Sequence, residues 1–73
     1  MNSTALAHMA NQIGLYYQAY GTAEAVAGIQ AHIQRFWHPE LRAQLIALAE
    51  REEDGALLHT VRTAAQRLPR SSP

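Results

Sequence analysis

The chain has 73 residues and is 48% apolar, but fourteen of its apolar residues are alanine, so it can build only a thin core. Six arginines balance six acids, lysine and cysteine are absent, and the net charge is zero with neutral histidines. This composition excludes disulfides, thiol chemistry and cysteine-ligated zinc or iron–sulfur clusters. It also speaks against nucleic acid as a partner, because such binding draws much of its affinity from neutralised phosphates.

In so short a chain, burial and ordering entropy come out near balance, and small domains normally add a disulfide, a metal or a partner. With cysteine absent, a protein partner is the expected supplement. The first thirty-four residues hold no Lys or Arg, and the apolar residues are spaced rather than continuous. No secretory signal or membrane span is therefore expected, and the cytoplasm is the expected location.

Apolar residues recur at threes and fours along the chain, which predicts helices and an all-α bundle of three or four short ones. The first segment carries Leu6, Met9, Ile13, Tyr16, Tyr17 and Tyr20 as its expected core face, with Ser3 or Thr4 as the expected cap and Met1-Asn2 loose. A break at Tyr20-Gly21-Thr22 follows. The second segment carries Val26, Ile29, Ile33, Phe36 and Trp37, with Thr22 as the expected N-cap and Glu24 in the first turn. Phe36 reads as core, and Trp37 stands between core and interface. After Trp37-His38 the third segment starts at Pro39, whose fixed φ suits the first helical position. Its expected face is Leu41, Leu45 and Leu48, a narrow stripe. A break at Asp54-Gly55 precedes the fourth segment, which carries Leu57, Leu58, Val61, Ala64, Ala65 and Leu68. Residues 3–68 read as one helical domain and 69–73 as a mobile tail. Leu15 and Ile46 fall off the expected faces of their helices and mark a candidate partner surface.

No constellation for catalysis stands out. His8, His32, His38 and His59 lack the i, i+3 or i+4 spacing of helical metal pairs. The serines lie near the termini, the threonines fit helix or cap roles, and Glu50, Glu52, Glu53 and Asp54 read as a solvated helix end. A nucleophile with a positioned base and a third orienting group is not evident. The helix after the Gly21 turn starts Ala23-Glu24-Ala25-Val26-Ala27, which offers nothing to base edges and carries an acid toward phosphates. Neither catalytic, cofactor-binding nor metal-ligating residues are therefore assigned.

The most informative stretch is His32-Ile33-Gln34-Arg35-Phe36-Trp37-His38-Pro39-Glu40-Leu41-Arg42, preceded by Met9-Ala10-Asn11-Gln12-Ile13 and the aromatic pair Tyr16-Tyr17. Together these resemble the delta subunit of NAD-dependent molybdenum formate dehydrogenases, over roughly residues 6–68. That family has a Met-Ala-Asn-Gln-Ile element, an aromatic pair, and a His-Ile-x-x-Phe-Trp-x-Pro-x-x-Arg element. Tyrosines stand here where phenylalanines are more usual, and Glu40-Leu41-Arg42 replaces Arg-Met-Arg, reversing the charge at Glu40. The resemblance implies a non-catalytic accessory subunit or assembly factor, without a cofactor of its own, that binds the catalytic (alpha) subunit. Asn11, Gln12, Leu15, Trp37 and Arg42 are the expected partner-binding residues. The alternative is a self-associating helical module, a homodimer without an enzyme partner.

Overall fold

The computed structural model describes residues 2–51 and 55–69. Among these are four helices, α1 (Ser3–Tyr16), α2 (Thr22–Phe36), α3 (Pro39–Arg51) and α4 (His59–Gln66), with no strand. The bundle is arranged around its shortest member. The eight residues of α4 pack against α1, α2 and α3 alike. Val61, Ala64 and Ala65 on α4 are fully buried, and they meet Leu6 and Ala10 of α1, Ile29 and Ile33 of α2, and Leu45 and Leu48 of α3 in one core cluster.

The helix boundaries follow from local chemistry, with two corrections to the caps. Asn2, not Ser3 or Thr4, caps α1: its Oδ1 accepts from the Ala5 N–H at 2.7 Å, so this residue is tied down rather than loose. Gly21, not Thr22, is the N-cap of α2, and Thr22 is already helical. Glu24 lies in the first turn as expected. Pro39 opens α3, and His38 before it accepts the Glu40 N–H on Nδ1 at 3.3 Å, filling the place of a capping oxygen. The third break shows itself at Gly55, whose φ of +78° lies in the left-handed region that favours glycine. Glu52, Glu53 and Asp54 of the acidic run, Met1, and residues 70–73 of the expected tail lie outside the described residues.

The buried face of α1 differs from the one the large apolar residues suggest. It is built from Leu6, Ala7, Ala10 and Gly14, whereas Tyr16 and Tyr20 are exposed and Met9 is only half-buried. At about 100° per residue, the core face is turned away from Tyr16 toward the small residues, while Leu6 is buried as expected and Ile13 and Tyr17 pack partly buried against the core. Those small residues let α4 approach: a Cβ on Gly14 would lie 2.6 Å from Val61 Cγ2 and 3.0 Å from Leu58 Cδ1. Phe36 is likewise exposed rather than core. It ends α2, and Trp37, turned off the helix by its extended backbone, is the ring that packs against the core. Ile46 is buried, not part of an outer surface. Because α3 packs against both α1 and α4, its buried arc is wide enough to take in Ile46 and Ala49 beside Leu45 and Leu48.

Side-chain bonds tie the helix ends. Asn11 donates from Nδ2 to the Ala56 carbonyl at 2.8 Å and accepts the Leu58 N–H on Oδ1 at 2.9 Å, clamping the entry of α4 to α1. Arg42 donates from Nη1 to the Gln34 carbonyl at 3.3 Å, in the last turn of α2 where a cation is favoured. Gln30 Nε2 donates to the Arg67 carbonyl at 3.2 Å, and Arg51 Nη2 donates to Ser3 Oγ at 3.1 Å.

Candidate functional site

The turning of α1 leaves Tyr16 exposed, while Ile13 and Tyr17 pack partly buried against the edge of the core. Gln12, Ile13, Tyr16 and Tyr17 of α1 and the following turn, with His32 of α2, line an open groove of about 400 Å³. Tyr17 forms its floor. Its ring lies against Gly28, where a Cβ would run into it. Tyr16 meets Tyr17 edge-on, with ring centroids 5.0 Å apart at 83°. Tyr20 continues the array, 5.7 Å from Tyr17.

The other wall extends along α2. The His32 and Phe36 rings lie 4.9 Å apart, and the Arg35 guanidinium sits 5.5 Å from the Phe36 centroid in a cation–π contact. Tyr16 is 74% exposed and Phe36 67%, far more than rings in a helical core. Rings of this size are enriched where proteins meet partners.

The five residues nominated by the sequence divide by how the fold uses them. Gln12 lines the groove and also approaches His8, with Nε2 of each 3.4 Å apart. Leu15 is 47% exposed on the outer side of α1. Trp37 is half-buried against the core. Asn11 and Arg42 are half-buried, and their polar groups are engaged with the Ala56–Leu58 loop and the end of α2. The structure therefore brings Gln12 and Leu15 to an open surface and uses the other three within the bundle. Sequence reasoning missed Tyr16, Tyr17, His32, Arg35 and Phe36 as one surface. For Tyr16 the signal that could have found it is the row Ala7, Ala10, Gly14 on the opposite side of α1, since small residues at helical spacing admit a close neighbour and leave the bulky residue across the helix facing outward.

Among the described residues, no three of His, Asp and Glu gather as a metal site would require. No helix of the described residues is long and apolar enough to cross a membrane.

A model of the NADH-dependent formate dehydrogenase delta subunit family, FdsD, matches residues 5–65. The chain belongs to this family. No curated protein and no solved structure matches it. In this member of the delta subunit family, both stretches that carry the resemblance run into the same groove. Gln12 and Ile13 of the first element and the aromatic pair Tyr16-Tyr17 line it from one side, and His32 of the second lines it from the other. Asn11 and Arg42, which belong to the same two elements, hold α4 to α1 and α3 to α2.

Proposed function

We propose that the chain is a non-catalytic accessory subunit or assembly factor of a cytoplasmic NAD-dependent molybdenum formate dehydrogenase, and that it binds the catalytic subunit. One observation carries this reading beyond family membership: residues of both family-like elements converge on an exposed aromatic groove. A surface of this kind is costly to leave in water and is satisfied by a protein partner. Gln12 and Leu15 supply direct contacts on the α1 side, and Trp37 supplies its half-open edge. Asn11 and Arg42 act by holding the helices that present these groups. The molybdenum cofactor and clusters belong to the partner subunits in this reading, so the chain itself takes no cofactor.

The test is purification of the tagged full chain from cells that make the formate dehydrogenase. The catalytic subunit should co-purify, identified by mass spectrometry, and molybdenum should follow that complex. The isolated chain should neither oxidise formate nor retain one metal per chain. Recovery of the chain only as a homodimer, with the catalytic subunit in the flow-through, overturns the accessory role in favour of a self-associating module. A chain with zero net charge has little electrostatic protection against such pairing.

A further inference from the structure

We propose that the groove between α1 and α2 receives an apolar segment of the catalytic subunit that also carries a carboxylate, and that this carboxylate pairs with Arg35. The inference rests on the accessory-subunit reading and adds the chemistry of what docks.

The groove itself calls for an apolar occupant. Ile13, Tyr16 and Tyr17 supply its apolar lining, and about 400 Å³ accommodates one or two large side chains rather than an extended face. The two helices that build it carry few charges. No residue of α1 is charged. On α2 the only acid is Glu24, in the first turn, while Arg35 is in the last. At ~1.5 Å rise per residue these two lie about 16 Å apart, so Glu24 cannot neutralise Arg35.

Arg35 is exposed and makes no ion pair among the described residues; its partner is the Phe36 ring beneath it. The exposed guanidinium at this position offers its N–H donors to a partner. This geometry suits bidentate recognition of a carboxylate. The tilted contact of Phe36 with the groove residue His32 sets the Arg35–Phe36 pair beside the groove, outside its lining. Tyr16, Gln12 and His32 give the lining side chains capable of hydrogen bonding. An apolar anchor beside an acidic residue complements all of these at once. Nucleic acid would complement Arg35 alone.

The experiment titrates the full-length chain with the purified catalytic subunit and compares Tyr16→Ala, Arg35→Ala and Arg35→Glu with the wild type. Ala47→Gln, at an exposed position of α3, is the control. Tyr16 and Arg35 are exposed, so circular dichroism of each variant should match the wild type. Tyr16→Ala should weaken binding about 30-fold, the effect of a hot-spot ring. Arg35→Ala should weaken it about tenfold and flatten its salt dependence, and Arg35→Glu should weaken it further still.

If the wild type binds while Tyr16→Ala and Arg35→Ala bind within twofold of it, the groove is not the site, although the accessory role stands. If Tyr16→Ala alone weakens binding, or Arg35→Glu binds as tightly as wild type, the carboxylate is wrong. If the wild type does not bind the catalytic subunit, the accessory reading fails and this inference with it. A self-dimer of the isolated chain that Tyr16→Ala dissolves would make a second copy the occupant and overturn the proposal.

Discussion

Gly14 is the residue on which the approach of α1 to α4 depends. Adding a methyl there places it against Val61, which is fully buried and β-branched and so cannot swing aside. Overpacking of this kind costs about 1–3 kcal/mol and the better helix propensity of alanine returns about 1. Gly14→Ala should therefore lose up to about 2 kcal/mol in urea denaturation, where a solvent-facing glycine would gain. Asn11 makes a second such case. Its amide closes both bonds to the Ala56–Leu58 loop, so Asn11→Ala should cost about 1–3 kcal/mol of stability. Asn11→Asp keeps the acceptor for the Leu58 N–H but loses the donor to the Ala56 carbonyl, and should recover part of that loss. A neutral Asn11→Ala would show that the clamp is dispensable and return Asn11 to the list of direct partner contacts. In the sequence, this asparagine stands out only as part of a family-like element; its bonding partners are forty-five and forty-seven residues away, a separation that local patterning does not reach.

At the scale of elements, four helices and their breaks were legible, because Gly21, Pro39 and Gly55 interrupt a steady 3.6-residue period. The start of α3 is a firm example. Pro39 has no N–H to lose where none is needed, so Pro39→Ala should change stability by less than about 1 kcal/mol, through the unfolded chain; thermal denaturation followed by circular dichroism reads this directly. A larger loss would mean that the proline fixes the turn after Trp37. Which face each helix buries was less legible. Periodicity weighs large apolar residues most, and on α1 it pointed to the tyrosines. The fold buries Leu6 as expected, keeps Ile13 and Tyr17 partly buried, and adds Ala7, Ala10 and Gly14, since a close helix crossing gains contact from a small surface. Ile46 reads as an outlier when α3 is imagined with one neighbour, and it is core because α3 has two. Phe36 and Trp37 are adjacent and point in different directions, so the period could not settle which one the bundle end would take.

For the whole molecule, stability is concentrated in few side chains. At about 0.05–0.15 kcal/mol per residue a chain of this length holds roughly 4–11 kcal/mol, and Leu45 is, with Ile29, Ile33 and Val61, among the largest fully buried side chains of the described residues. Leu45→Ala should cost about 2–5 kcal/mol, enough to leave a visible unfolded population at room temperature by circular dichroism. By the same reasoning, a bound catalytic subunit should raise the apparent stability of the chain, since it binds the folded state alone. The groove was invisible in the sequence as a single feature because α1 and α2 build it together, yet every residue lining it lies in or beside a stretch that carries the family resemblance.

Hydrogen–deuterium exchange of the full chain, free and in complex with the catalytic subunit, reads that surface most directly. Binding through the groove predicts added protection over residues 12–17 and 28–36, with little change in the exposed face of α3. Protection confined to α3 and α4, with residues 12–17 exchanging as in the free chain, would contradict it.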